Sequence, residues 1–241
     1  MNGQVYFMSI DQEPCPQRGG AGGRSVASGA KPLNRLRRCS AGAASQCLKM
    51  NRTISKKKPL LKWVGGKSRL LDMLIKHFPK EINNYHEIFV GGGSVLLHYL
   101  SALEEGHFSL KGKIYAYDSN EPLIAFYKNI QSNHLLVYNE VLMLCKKYFS
   151  CGSTPEGGVF NDGKAVNRTP KNKVEAMQRK ENYFYWVRLQ YNELTDLEKK
   201  SIQGSAMFLF LNKTCFRGLF RLGPNGFNVP YGHYKNPTIV D

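Results

Sequence analysis

Three successive glycines, Gly91, Gly92 and Gly93, separate the strand-like run HEIFV from an apolar stretch of helical spacing that begins at Ser94. Asp118 closes the next apolar run, 25 residues after Gly93. A turn without Cβ atoms lets a ligand lie against the backbone, and the helix behind it offers unpaired N–H groups in its first turn. An acid at the end of the following strand is where a nucleotide-type fold holds ribose hydroxyls. Upstream, WVGGKS at 63–68 adds a second glycine-rich turn. Two stricter motifs fail. The dinucleotide fingerprint needs a third glycine where Leu96 stands, and a phosphate-loop reading of GKS at 66–68 needs a glycine where Leu61 stands. An ordinary tight βα turn is the competing reading of the glycines by themselves.

The elements that would position these residues follow from periodicity and punctuation. Leu70, Leu71, Leu74 and Phe78 share one face of a helix expected over Lys67–Phe78, which Pro79 closes. Tyr85–Val90 reads as a buried strand, Ser94–Glu105 as a helix stopped by Gly106, and Lys113–Asp118 as a second strand. Asn120 caps a helix through about Ile130, with Pro122 tolerated in its first turn. This βαβ order predicts an open, largely parallel α/β sheet. From about His134 the pattern becomes helical, over 135–149, 181–194 and 201–213, interrupted by a polar loop at 150–173. The tail LFRLGPNGFNVPYG places apolar and aromatic residues on both sides of Gly-Pro-Asn-Gly, a hairpin signal.

Composition narrows the partners. With 241 residues, 42% of them hydrophobic, the chain can bury a core, and its formal charge of +16 points to a polyanion, nucleic acid before membrane. Between Ser201 and Val240 there is no Asp or Glu, against Lys213, Arg217, Arg221 and Lys235. The same stretch carries Phe216, Phe220, Phe227, Tyr231 and Tyr234, a combination suited to phosphates and bases. A solvated basic face with a few core aromatics is the alternative. The six cysteines form no CxxC pair and have no histidine at metal-ligand spacing, so they read as thiols of a reducing, intracellular compartment, with no metal and no secretion. No apolar run reaches membrane-spanning length. Residues 1–50 are rich in Gly, Ser, Ala and Arg, and three readings stand: a disordered basic arm, an organelle transit peptide, or leader sequence ahead of a start at Met50.

LLKWVGGKSRLL, EIFVGGGSVLL, YAYDSN and FLNKTCFRGLFRLGPNGFNVPYGHYKNPTIVD occur in that order between Pro59 and Asp241. Together they resemble the ordered blocks of the Dam-type adenine-specific DNA methyltransferases. The resemblance implies a Rossmann-like S-adenosylmethionine-dependent methyltransferase sheet, incomplete here, with a mainly helical DNA-recognition module carrying a β-hairpin. On that basis residues 51–131 form a cofactor-binding α/β half-domain, 132–236 the recognition module, and 237–241 the start of a return to the catalytic domain. The chain is read as a monomer acting on double-stranded DNA in cytoplasm, nucleoid, nucleus or organelle.

The resemblance also assigns residues. Trp63, Gly66, Lys67, Phe89, Gly91, Gly93, Ser94 and Asp118 match cofactor positions. S-adenosylmethionine needs a carboxylate for its ribose, which Asp118 can supply, and a cation for its methionine carboxylate, which Lys67 can supply. Its sulfonium suits an aromatic face such as Trp63. Lys62, Asn212, Lys213, Arg217, Arg221, His233, Tyr234 and Lys235 match DNA-contact positions. Arg217 stands where the family usually has Asn, and His233 where it often has Arg, so the recognised sequence does not carry over. The turn in the hairpin is about one residue shorter than the family's, which leaves its register open.

The exocyclic amino group of adenine is a weak nucleophile, because its lone pair is delocalised into the ring. Members of the family hold the flipped base with an Asp (or Asn) side chain and a proline carbonyl from a DPPY-type tetrapeptide. No Pro-Pro pair occurs in this sequence, so no catalytic residue is assigned and these 241 residues alone are expected not to transfer methyl groups. Three function classes therefore remain: an adenine methyltransferase or part of one, a non-catalytic DNA- or cofactor-binding remnant, and an unrelated nucleotide-binding protein with a basic tail.

Overall fold

The computed structural model describes residues 6–10, 54–152 and 166–240. In chain order the elements are β1 (Tyr6–Ile10), α1 (Leu71–Leu74) running into a 3-10 turn (Ile75–His77), β2 (Glu81–Ile82) and β3 (Tyr85–Glu87). Next come α2 (Ser94–Glu104), β4 (Ser109–Leu110), β5 (Ile114–Asp118) and the long α3 (Glu121–Ser150). The rest is α4 (Lys173–Met177), α5 (Lys180–Glu193), α6 (Asp196–Lys199), α7 (Ile202–Thr214), β6 (Leu222–Gly223) and β7 (Gly226–Phe227). The fold is mixed α/β with small sheets.

The main sheet has the order β1-β5-β3. β3 and β5 run parallel, with Tyr85 opposite Ile114, as the βαβ pattern requires. β1 was not expected. It pairs antiparallel with β5 over five register positions, Met8 opposite Ala116, so the sheet is mixed rather than largely parallel. Its sequence, YFMSI, is rich in β-prone residue types and buries Met8, which the glycine-rich composition of the first fifty residues obscured. The remainder of the 1–50 segment lies outside the described residues. One face of the sheet, with Tyr85, Ile114 and Ala116, is buried beneath α2 and α3, where Tyr85 stacks on Tyr99 at 4.3 Å.

The expected helix at 67–78 is shorter, one α turn continued as a 3-10 turn, because the chain before Leu71 is committed to the WVGGKS turn. The two helices expected on either side of residue 133 are continuous through a kink at Asn133 (φ −143°, ψ 38°). Asn120 caps α3 as expected, its side chain accepting the Leu123 N–H. The α3–α7 pair forms the spine of the helical half, with Phe126, Val137, Val141 and Tyr148 of α3 buried in the same core as Phe208, Phe210 and Leu211 of α7. β6 and β7 make a minimal antiparallel pair across Pro224 and Asn225. Buried Cys145, Cys151 and Cys215 are free thiols, and burial pushes Cys215 up to about 12, so it stays protonated and inert.

Gly204 shows packing overriding helix propensity. Alanine in a helix interior is favoured over glycine by about 1 kcal/mol. A Cβ on Gly204, however, would sit 2.5 Å from the backbone carbonyl oxygens of Glu198 and Lys199, which cannot rotate away. Overpacking of that kind costs about 1–3 kcal/mol. Gly204→Ala is therefore expected to lower the thermal midpoint, measured by circular dichroism, although an exposed helical glycine changed in the same way would raise it.

Candidate cofactor turn and nucleic-acid interface

The glycine turn follows the β3 strand. Gly91 (φ 47°) and Gly93 (φ 71°) lie in the left-handed region, which only glycine enters without strain. A Cβ on Gly91 would come within 2.8 Å of the Trp63 ring, and one on Gly93 within 2.8 Å of the Tyr127 hydroxyl. The glycines are thus required by their protein neighbours. Asp118 holds the turn from the next strand. Its Oδ2 accepts the Gly91 N–H at 3.0 Å and its Oδ1 accepts the Asn120 N–H at 2.9 Å. Tyr127 donates its hydroxyl to the Gly91 carbonyl at 3.2 Å.

The WVGGKS segment lies across this turn. Its backbone folds at Gly66, whose N–H reaches the Trp63 carbonyl, and the Lys67 N–H donates to the buried Ser94 Oγ at 3.1 Å. The Lys67 ammonium is exposed and donates to the Gly65 carbonyl at 2.6 Å. Trp63, Lys67, Gly91, Gly93, Ser94 and Asp118 are therefore brought together by direct contacts. Phe89 is not drawn into them; its side chain is 84% exposed. A cleft of about 370 Å³ opens beyond Asp118, lined by Ser119, Asn120, Pro122, Asn192, Phe220 and Phe227.

A second group joins Trp63 to the acid-free segment. The Trp63 ring stacks on Phe220, with 6.1 Å between centroids, and meets Phe208 of α7 at 6.4 Å. The neighbouring Lys62 is clasped by Asn212, which is buried. Asn212 accepts the Lys62 N–H at 2.8 Å and donates to the Lys62 carbonyl at 2.8 Å and the Gly218 carbonyl at 3.1 Å. The Lys62 ammonium lies 3.7 Å from the centroid of Tyr234 and donates to the Lys213 carbonyl. The Tyr234 hydroxyl in turn accepts the Arg217 N–H at 3.0 Å.

A family model for D12 class N6 adenine-specific DNA methyltransferases matches residues 63–241, a span that contains the glycine turn, Asp118 and the acid-free segment. The chain belongs to that family. Among curated proteins it is 35% identical over 190 residues to the type II methyltransferase M.MjaIII of Methanocaldococcus jannaschii, covering 76% of this chain and 55% of that protein. It is 33% identical over 181 residues to a DNA adenine methylase of Haemophilus influenzae, covering 75% and 49%. With the DNA N-6-adenine-methyltransferase of Escherichia phage P1 it shares 30% over 181 residues, 74% and 18% of the two chains. The chain spans about half the length of the first two.

Within this D12-family chain the remaining DNA-contact candidates are spread along one segment. Arg221 is exposed, and its Nε donates to Asn228 Oδ1 at 2.7 Å. His233 lies 3.7 Å from Glu181, and Lys235 is exposed. Of the DNA-contact candidates, Asn212 is oriented wholly toward backbone and is 4% exposed. Among the described residues no helix is long and apolar enough to cross a membrane, and no group of three or more His, Cys, Asp or Glu could hold a metal ion.

Two polar residues beside the turn are absent from the sequence-based assignment. Tyr127 is one; the other is Glu87, the acid at the end of β3. Burial pushes the Glu87 carboxyl up to about 7, against hydrogen bonds from the Tyr85 hydroxyl (2.8 Å) and the Leu96 N–H that favour the charged form. The available signal was an acid inside an otherwise apolar strand that leads into Gly91. A raised carboxylate pKa gives stability that is complete below the unfolded value and is lost as pH rises through the folded value. Glu87→Gln, which imitates the neutral form, is expected to match wild type near pH 4.5 and to become the more stable protein, by about 1–3 kcal/mol, above pH 7. Thermal midpoints measured across that range check the sign; a difference that does not grow with pH removes Glu87 as the titrating group.

Proposed function

We propose that this chain binds S-adenosylmethionine and double-stranded DNA, and that it serves methyl transfer to the exocyclic amino group of adenine. One observation carries the reading: Trp63 touches both halves. Its ring fills the space over the glycine turn and stacks on Phe220 of the acid-free segment. A donor held at the turn and a base presented by the segment would therefore meet at one place. The three-stranded sheet is read as part of a Rossmann-like methyltransferase sheet, with β6 and β7 as the hairpin of the recognition module.

The residues present suit the cofactor. Each Asp118 oxygen accepts one backbone N–H, from Gly91 of the turn and from Asn120, and keeps acceptor capacity for a ribose hydroxyl. The exposed Lys67 ammonium can pair with the methionine carboxylate, the Trp63 face suits an onium charge, and the cleft beginning at Ser119 adjoins the acid as a slot for the base. When bound, the cofactor supplies an electrophilic methyl group on sulfur. Lys62, Lys213, Arg217, Arg221, His233, Tyr234 and Lys235 would meet DNA, and Asn212 would hold Lys62 and Gly218 in place for them.

A labelled-methyl assay on unmethylated duplex tests the transfer itself: label on adenine N6 supports it, and binding of both ligands without label overturns it.

Lys67→Ala tests the cofactor reading without disturbing the turn, since the ammonium is exposed. It is expected to weaken S-adenosylmethionine binding by about 1.5 kcal/mol, roughly tenfold, with an unchanged thermal midpoint. Equal affinities in calorimetry take Lys67 out of the site. For DNA, affinity is expected to fall steeply with salt through counterion release. Changing Arg221 and Lys235 together to Ala should flatten the log–log slope by about one unit for each phosphate that is no longer neutralised. An unaltered slope assigns the phosphates to other residues.

A further inference from the structure

Among the described residues, two that are not glycine have left-handed backbone: Arg217 (φ 55°) and His233 (φ 53°). Side chains other than those of Asn, Asp and His rarely adopt that conformation, whereas glycine does so without strain. The geometry at Arg217 is imposed from both sides. Before it, the Phe216 N–H donates to the Pro230 carbonyl at 2.9 Å, and Cys215 bridges Tyr231. After it, Gly218 lies so close to Lys62 that a Cβ would meet the Lys62 Cβ at 2.3 Å, and its carbonyl is held by Asn212. The Arg217 N–H itself is fixed by the Tyr234 hydroxyl. Glycine would satisfy this fold at position 217 as it does at 218, where φ is 64°.

Position 217 carries an arginine although its backbone favours glycine, an arrangement whose benefit would lie outside the fold. The guanidinium lies 5.1 Å from the centroid of Phe216, which is itself 43% exposed, and Arg217 is at the surface. The segment around it contains no acid from Ser201 to Val240. A guanidinium offers the paired donors that match guanine O6 and N7 in the major groove, and an exposed aromatic beside it can stack on or wedge between bases. His233 differs. Its ring lies 5.0 Å from Tyr231 and 3.7 Å from Glu181, so strain there has protein partners to explain it.

We propose that Arg217 reads a guanine in the DNA site, its strained backbone being the means by which the clasp of Lys62, Asn212 and Tyr234 aims the guanidinium outward. The inference rests on the DNA-binding reading above and adds to it a sequence-reading residue and the base it selects.

The test uses the full chain and a random-sequence duplex pool, with bound sequences identified by sequencing and melts run in parallel for wild type, Arg217→Gly and Arg217→Lys. Wild type is expected to enrich sequences with a fixed guanine. Arg217→Gly should melt higher, because the strain is relieved, and lose the preference at that guanine among the sequences it still binds. Arg217→Lys retains the charge but not the paired donors, and should lose about tenfold in preference at the same position. Enrichment of the same guanine by both variants overturns the proposal while leaving DNA binding intact, and so does a wild type that binds DNA with no sequence preference. A glycine variant that loses selectivity and also melts lower makes Arg217 a structural residue instead. Failure of wild type to bind any duplex removes the proposal together with the DNA-binding reading.

Discussion

The side-chain amide of Asn212 joins the two halves of the chain. It forms three hydrogen bonds to backbone, two with Lys62 and one with Gly218, and the partners in the Lys62 pair are 150 residues apart in sequence. A buried polar group left without a partner costs about 1–3 kcal/mol, so the clasp is made completely or the segments separate. Because it is buried, it brings the WVGGKS segment, the turn at Gly218 and the end of α7 into one body. Both candidate ligand surfaces depend on that geometry.

Around the clasp, most of the ordering is aromatic. Trp63, Phe208, Phe220 and Phe227 form a continuous series of ring contacts between 5.6 and 6.4 Å, from the glycine turn to the β6–β7 pair. Such pairs add about 0.5–1.5 kcal/mol beyond area burial and fix ring orientation. The Tyr148 and Tyr231 hydroxyls, 2.5 Å apart in the interior, tie the far end of α3 to the same block. The acid-free segment therefore needs little secondary structure of its own. Its longest strand is two residues, and side chains from α3, α5 and α7 hold it in shape.

At the glycine turn, polar groups that could meet a ligand also shape the turn. Asp118 accepts two backbone N–H groups, and Ser94 accepts the Lys67 N–H. Glu87 and Asp118 both act on the Tyr127 hydroxyl, which burial already holds above its ordinary pKa. Turn shape and local charge are thus coupled through a few atoms, and a change at one of these residues alters the turn as well as any contact it makes.

The sequence by itself determined the ordered blocks, the glycine turn and acid around which they are arranged, the longer helices, and the one-sided charge of residues 201–240. These are local properties: periodicity, punctuation and residue type within a few turns of chain. Tertiary structure alone decided which polar residues face backbone and which face outward. Asn212 and Ser94 read in sequence as ligand contacts, yet each has a backbone partner far along the chain, and Phe89 stands on the surface. It also decided that Tyr6–Ile10 joins the sheet, since an isolated β-prone pentapeptide acquires a strand partner only when a distant edge is presented to it. The strain at Arg217 has the same origin. No feature of the sequence near residue 217 asks for a left-handed arginine; it follows from two fixed points, Lys62 and Tyr234, that folding brings to either side of it.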